Sequence, residues 1–151
     1  MAPKQKIFLG ILVLGSLIGL LDTSYLAILQ LKNNQYLSCD FWGFSCDKVL
    51  NSVYSKFLGI PLSFWGLGYY LTLFFGAAAY LSRQNKLILR LIELWVWLGA
   101  GVSLILVYLQ AAVLKAFCLY CLISELVIFT MMISYLIIKF LIKSDYTNQR
   151  I

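Results

Sequence analysis

Hydrophobic residues are grouped in long blocks along this chain instead of recurring at strand or surface-helix spacing. Four almost uncharged blocks cover about residues 7–31, 58–81, 91–114 and 117–138. Each block is long enough to cross a hydrocarbon layer of ~30 Å at ~1.5 Å per helical residue. Because lipid offers the backbone no hydrogen-bonding partners, such segments form helices. The pattern predicts an all-α membrane protein, a single domain (1–151) built as a four-transmembrane-helix bundle.

The first block has a competing interpretation as a secretory signal peptide, because Lys4 and Lys6 precede it. A signal peptide has an apolar region of only about 7–15 residues, followed by a cleavage site with small residues. This block is longer and ends in Leu31-Lys32-Asn33. We therefore predict a span that is retained.

The only sizeable loop lies between the first two blocks, at about residues 32–57. In its second half, apolar residues fall on one helical face: Val49, Leu50, Val53 and Phe57. This spacing predicts a short amphipathic helix lying on the membrane surface.

Composition supports a surface that meets lipid. Hydrophobic residues make up 62% of the chain and charged residues 12%, too few to build a hydrated shell. Histidine is absent, which removes the commonest general base and a common metal ligand. The basic residues stand at block ends and are not interleaved with aromatic residues, so nucleic acid is not an expected partner.

The basic residues predict the orientation in the membrane. Eight lie on the side of the two termini: Lys4, Lys6, Arg83, Lys86, Arg90, Lys139, Lys143 and Arg150. The opposite side holds four: Lys32, Lys48, Lys56 and Lys115. Since positive residues concentrate in cytoplasmic segments, we expect cytoplasmic termini and an outward-facing large loop.

The four cysteines all fall on the predicted outer side. Cys39 and Cys46 lie in the large loop, and Cys118 and Cys121 form a C-x-x-C motif at the start of the fourth span. A helix N-terminus favours a thiolate and so speeds thiol–disulfide exchange. Two cysteine pairs on one oxidising side predict a redox relay.

Two other interpretations of the cysteines remain open at the level of sequence. Four cysteines can bind zinc, although the wide spacing in the loop is unusual for such a site. Two inert disulfides would make the chain a non-enzymatic membrane scaffold. Against that, the C-x-x-C pair closes a very short loop and gains little stability from doing so. We expect no metal.

Two acidic residues lie within predicted spans, where charged groups are costly and often functional. Glu125 follows Cys121 by four residues and Cys118 by seven, so the three share a helix face. It can supply a proton, or simply form an interhelical hydrogen bond. For Asp22 the structural interpretation is favoured. A small transporter whose Asp22 and Glu125 carry protons is a further alternative.

Glycines at positions 10, 15 and 19 of the first span predict close helix approach. Aromatic residues in the second and third blocks allow either a ligand pocket or anchoring at the membrane interface. They are Trp65, Tyr69, Tyr70, Trp95 and Trp97.

The order of the motifs resembles the vitamin K epoxide reductase family, in the form of its bacterial-type homologues. The resemblance rests on Cys39-Asp40, Cys46-Asp47-Lys48-Val49 followed by Ser52, Gly59-Ile60-Pro61, and Cys118-Leu119-Tyr120-Cys121. It covers nearly the whole chain. It implies an enzyme of the bacterial cytoplasmic membrane, with its cysteines on the periplasmic side.

The resemblance also implies roles for individual residues. Cys121 would meet a quinone of the ubiquinone or menaquinone/phylloquinone type, and Cys118 would exchange with Cys46. Cys39 would meet a thioredoxin-fold (DsbA-like) protein, and Ser52 would lie on a helix that caps the quinone pocket. With only residues 139–151 after the last span, this partner is expected to be a separate protein.

Two positions depart from the vertebrate pattern of the family. Leu62 replaces an Asn near the start of the second span, and Glu125 replaces a Tyr four residues beyond the C-x-x-C motif. Both changes argue against epoxide reduction. The sequence therefore predicts a membrane thiol–disulfide oxidoreductase that oxidises a thioredoxin-fold partner and reduces a membrane quinone.

Overall fold

Four long helices dominate the computed structural model, which describes residues 3–32 and 43–148. They are α1 (Pro3–Leu31), α3 (Leu62–Arg83), α4 (Lys86–Tyr108) and α5 (Leu119–Asn148). A π-helical segment, Leu109–Leu114, continues α4 without a break. Each of these helices contains a stretch long and apolar enough to cross a membrane. The predicted fold class is confirmed.

The long helices pack as a closed ring in which α1 contacts α3 and α5, and α4 contacts the same two helices. The core between them is apolar along most of its length and includes Leu12, Leu73, Val96 and Met131. The ends of the helices where α3 turns into α4 surround a cavity of about 180 Å³. The cysteines of α5 lie at the opposite end of the bundle.

The glycines of α1 allow close packing at two of the three predicted positions. A Cβ at Gly15 would collide with the side chain of Met131, and one at Gly19 with the ring of Tyr70. A Cβ at Gly10 would meet nothing within 4 Å, so the prediction is wrong for that residue. Gly10 lies nearer the end of the helix and faces outward.

The segment between α1 and α3 holds several short elements in place of one longer amphipathic helix. They are α2 (Cys46–Leu50), a 3₁₀ turn (Val53–Ser55), and strands β1 (Lys56–Phe57) and β2 (Ile60–Pro61). The predicted short helix is present as α2, with Val49 and Leu50 buried. Val53 and Phe57 lie beyond its end and are exposed.

Local hydrogen bonds explain why α2 ends at Leu50. The Asn51 side chain donates to the Asp47 carboxylate at 2.6 Å. The Ser52 hydroxyl donates to the Val49 carbonyl at 2.7 Å, and Ser52 itself has extended backbone angles. Polar side chains that bond nearby backbone groups in this way compete with the helix.

A tight hairpin delays the start of the second span to Leu62, four residues later than predicted. Strands β1 and β2 pair antiparallel, with Phe57 opposite Ile60. The two turn residues, Leu58 and Gly59, both have positive φ, +55° and +79°. This is the signature of a type I′ turn, whose twist suits a two-residue hairpin. Gly59-Ile60-Pro61 indicates a turn into the span, but Leu58 and Ile60 are apolar, so the hydrophobic block extended across the hairpin.

Candidate functional site

Cys118 occupies the N-cap position of α5. Its carbonyl accepts the first helical hydrogen bond, from the Leu122 N–H at 3.0 Å. Its sulfur accepts a hydrogen bond from the Cys121 N–H at 3.4 Å, as an N-cap side chain does. The hydrogen bond from the Cys121 side chain and this backbone N–H lower the pKa of the Cys118 thiol, although burial opposes them. The spacing of the C-x-x-C motif therefore prepares a thiolate at its first cysteine.

The outer loop brings Cys46 to the same place. The Ser45 N–H donates to the Phe117 carbonyl at 2.9 Å, and Phe44 pairs with Phe117 in a parallel β-bridge. Cys46 and Cys118 consequently belong to one buried cluster, and neither side chain is exposed to any degree. Ser45 precedes Cys46 and Phe117 precedes Cys118, so this main-chain contact brings the two cysteines near each other.

The three described cysteines differ in their bonding. Cys46 is disulfide-bonded, and Cys118 and Cys121 are free thiols. The bond of Cys46 is therefore to neither cysteine of the C-x-x-C motif. Cys39 lies outside the described residues, so its predicted pairing and its predicted exposure to a partner stay predictions. Cys121 is half-buried, in contrast to the fully buried Cys118.

Glu125 lies on the same face of α5, as predicted, and is 4% exposed. Its Oε1 accepts a hydrogen bond from Gln110 Nε2 at 3.0 Å. Its Oε2 is buried and has no hydrogen-bond partner among the described residues. The carboxyl is close enough to Cys121 to act on it electrostatically. An incompletely bonded carboxyl beside a half-buried thiol is unusual for a group that only joins two helices.

Gln110 was not identified from the sequence. It lies in the π-helical segment, is 3% exposed, and bonds both Glu125 and the backbone N–H of Cys118, the latter at 3.0 Å. One signal was available: Gln110 is the only amide side chain in the third apolar block. Polar residues in a span usually have a role in the bundle interior.

Asp22 extends the polar region towards α1. Its Oδ2 is buried next to the Ser124 hydroxyl, which is buried too, and neither bonds any other described residue. Nearby, the Tyr70 hydroxyl donates to the Ser124 carbonyl at 2.8 Å. Asp22 also acts electrostatically on Cys118 and Cys121. The polar groups therefore converge on the C-x-x-C end of the bundle from α1, α3, α5 and the π-helical segment.

Ser52 lies just beyond the end of α2 and not on it. It is half-buried and precedes the 3₁₀ turn. Among the aromatic candidates, Tyr70 is buried, whereas Trp65 and Trp97 are close to half exposed on the outside of the bundle. Trp65, near the start of α3, fits interface anchoring, whereas Trp97 faces outward near the middle of its span.

Within the described residues, no three Cys, Asp or Glu side chains come together in a way that could hold a metal ion. The candidate site is thus a group of thiols and carboxyls. Its arrangement suits thiol–disulfide exchange coupled to proton movement.

Comparison with protein families agrees with this geometry. The family model for the vitamin K epoxide reductase family matches residues 10–136, from α1 to the last turns of the membrane-spanning part of α5. The chain belongs to the vitamin K epoxide reductase family. The match includes both Cys46 and the C-x-x-C motif, together with Gln110 and Glu125.

Membership of the vitamin K epoxide reductase family, together with the four apolar helices, makes this chain an integral membrane protein and a thiol–disulfide oxidoreductase. The resemblance read from the cysteine motifs is thereby confirmed. The main-chain contact between Ser45 and Phe117 lies within the matched residues.

Proposed function

We propose that this protein oxidises a separate thioredoxin-fold protein and passes the electrons through two cysteine pairs to a membrane quinone, in support of disulfide bond formation. The observation that carries the proposal is the burial of disulfide-bonded Cys46 beside the free thiol of Cys118. A relay needs a disulfide-bonded cysteine close to a free thiol of another pair. Two inert disulfides would not provide this arrangement.

The first step is exchange between the partner and the loop disulfide. A thiolate of the reduced partner attacks Cys39, the sulfur–sulfur bond of the loop pair breaks, and the partner's second thiol resolves the mixed disulfide. The partner leaves with a new disulfide and the loop keeps two thiols. Cys39 takes this role because Cys46 is completely buried.

The second step moves the electrons into the bundle. The Cys46 thiolate attacks Cys118 of an oxidised C-x-x-C pair, forming a Cys46–Cys118 bond and releasing the Cys121 thiolate. Cys39 then attacks Cys46, restoring the loop disulfide and releasing Cys118. The backbone N–H of Cys121 stabilises Cys118 as a thiolate, which makes it a good leaving group.

The last step returns the C-x-x-C pair to the disulfide. The quinone supplies an acceptor for two electrons and two protons. Cys121 is placed to face it, being half-buried beside Glu125. The unpartnered Oε2 of Glu125 can carry a proton beside Cys121, which is the chemistry that reduction of a quinone needs there. Ser52, just past α2, is proposed to cap the bound quinone.

The proposed orientation places the cysteines on the periplasmic side of a bacterial cytoplasmic membrane, with cytoplasmic termini. Its support is the eight-to-four distribution of basic residues. Leu62 and Glu125 stand where vertebrate members of the family have Asn and Tyr, so the proposed reaction is quinone reduction without epoxide reduction.

A single-turnover experiment tests quinone reduction. Purified protein with a reduced C-x-x-C pair is mixed anaerobically with a short-chain ubiquinone, and absorbance follows the hydroquinone formed. We expect one quinone reduced per protein and none in Cys121→Ser, with helix content unchanged. Quinone reduction by Cys121→Ser at the wild-type yield would remove Cys121 from the reaction.

Trapping of an intermediate tests the order of the relay. Cys39→Ser removes the thiol that resolves the Cys46–Cys118 bond, so this bond should accumulate and be found by non-reducing peptide mapping. Cys121→Ser leaves Cys39 in place and is the matched control. Cys39→Ser protein in which Cys46 is free and Cys118–Cys121 is the only disulfide would contradict the order.

A further inference from the structure

Gln110 connects the C-x-x-C motif to Glu125 through both ends of its side-chain amide. Its Oε1 accepts from the Cys118 N–H, and its Nε2 donates to Glu125 Oε1, each at 3.0 Å. The amide is 3% exposed, so water does not compete for these bonds. Both the oxygen and the nitrogen of this amide therefore bond residues of the proposed reaction, Cys118 and Glu125.

The π-helical segment holds Gln110 in this position. The Gln110 carbonyl accepts from the Lys115 N–H and, at 3.1 Å, from the Ala116 N–H. Lys115 ends the segment in a left-handed conformation, with φ of +47°. The backbone of Gln110 thereby ties down the turn that leads into Cys118, and its side chain completes the connection. Single π turns within α-helices are frequently found at functional sites.

The direction of the amide follows from the chemistry of its partners. A backbone N–H can only donate, so the atom of Gln110 that faces Cys118 must be the oxygen. The –NH₂ group then faces Glu125, and an amide nitrogen can only donate. Glu125 Oε1 must therefore be an acceptor. A carbonyl oxygen is a stronger acceptor than the hydroxyl oxygen of a carboxylic acid, so this bond favours placing the proton of a neutral Glu125 on the other oxygen, Oε2.

Oε2 is the atom of Glu125 that has no hydrogen-bond partner among the described residues. An unpaired buried oxygen costs free energy, so a carboxyl that served only to join two helices would be expected to have both oxygens hydrogen-bonded. A transferable proton, in contrast, must lie on an oxygen that is open to an acceptor. Glu125 is also near Cys121, the thiol proposed to face the quinone.

We propose that Gln110 is a positioning residue that assigns the exchangeable proton of Glu125 to Oε2. The Cys118 N–H fixes which end of the Gln110 amide is the oxygen. The amide nitrogen at the other end then donates to Oε1 of Glu125. Use of that proton in quinone reduction rests on the function proposed above, whereas its location on Oε2 does not.

Infrared spectroscopy of the purified protein tests the location of the proton. The C=O stretch of a protonated Glu125 is identified by its loss in Glu125→Gln. Because the carbonyl oxygen, Oε1, loses its donor in Gln110→Met, this band should move to higher wavenumber. Gln30→Met is the matched control, since Gln30 is a half-buried amide bonded to Ser63 on another helix pair. It should leave the band unmoved.

Two spectroscopic results would overturn the proposal. One is a Glu125 band that keeps its position in Gln110→Met. The other is the absence of any Glu125 carboxylic band at the pH where the protein is active, which would mean that no proton is there to position. If Gln110→Met does not fold, Gln110→Leu removes the same donor without adding a carboxyl band, and it should also shift the band.

Kinetics provide an independent readout. Gln110→Met should slow quinone reduction at least about tenfold, within the range that positioned proton transfer supplies, with KM for quinone changed less. In a Glu125→Gln background it should cause little further loss, because Gln110 acts through the proton that Glu125→Gln has already removed. Full additivity of the two losses would instead show a structural effect and contradict the proposal. A wild-type protein that does not reduce quinone refutes the proposed function, and the infrared shift still decides the role of Gln110.

Discussion

Cys118 shows at the scale of one residue how backbone geometry sets thiol chemistry. A sulfur at the N-cap accepts the N–H that a serine hydroxyl would accept, and it receives a second hydrogen bond from the side chain of Cys121. Both interactions stabilise the thiolate more than the thiol, because a charged sulfur is the stronger acceptor. Complete burial opposes ionisation, and the hydrogen bonds prevail.

The hydrogen bond from the Cys121 side chain is the largest cause that lowers the pKa of Cys118. Cys121→Ser keeps a donor there and Cys121→Ala removes it, so the pKa of Cys118 should be higher in the alanine variant. The Cys118 thiolate would then form at higher pH. Ultraviolet titration of thiolate absorbance measures this. Cys46 stays disulfide-bonded, so that Cys118 is the only free thiol among the described residues of either variant. Coincident titration curves would show that the side chain of Cys121 has no such effect.

The elements show where hydropathy was sufficient and where it was not. Four apolar blocks predicted four helices because lipid leaves the backbone no other structure. The place of C-x-x-C at the start of α5 followed from its position next to the last block. Hydropathy could not separate the β1–β2 hairpin from α3, because Leu58 and Ile60 are apolar. Equally, it could not distinguish the π turn around Gln110 from a continuing α-helix.

The proximity of Cys46 and Cys118 could be predicted only from the family resemblance. It depends on a parallel bridge between Phe44 and Phe117, residues far apart in sequence with no pattern that pairs them. The burial of the Asp22 and Glu125 carboxyls depends likewise on the packing of α1 against α5.

The hairpin that leads into α3 gives a prediction about stability. Gly59 has φ of +79°, where an L-residue is strained by roughly 1–2 kcal/mol. Gly59→Ala should therefore lower the thermal midpoint of the purified protein. Gly68→Ala in α3 is the matched control: its Cβ would meet nothing within 4 Å, and alanine favours the helix by about 1 kcal/mol. A midpoint lowered equally by both changes would refute the strain argument.

The whole molecule has two unlike ends. One end gathers the thiols, the buried carboxyls and α2, and the other surrounds a cavity with Glu93 and Lys139 in its lining. Eight of the twelve basic residues fall on the side of the termini, at the latter end. This asymmetry predicts the orientation because positive residues are retained in the cytoplasm.

Site-directed labelling in intact bacterial cells tests the orientation. Lys56→Cys and Lys86→Cys both place a cysteine at an exposed position, at opposite ends of the bundle. A membrane-impermeant maleimide added from outside should label the first variant, and should label the second only after the inner face is opened. The reverse pattern would put the relay on the cytoplasmic side and refute the proposed compartment.

In the proposed relay, electrons from a protein dithiol reach quinone only by way of Cys46 and then the C-x-x-C pair. Steady-state quinone reduction by the purified protein, driven by a reduced thioredoxin-fold donor, tests it most directly when Cys46→Ser is measured beside the wild type. The wild type should turn over many times. Cys46→Ser should lose donor-driven turnover yet still reduce one quinone after its C-x-x-C pair is chemically reduced. Donor-driven turnover that persists in Cys46→Ser would contradict the relay.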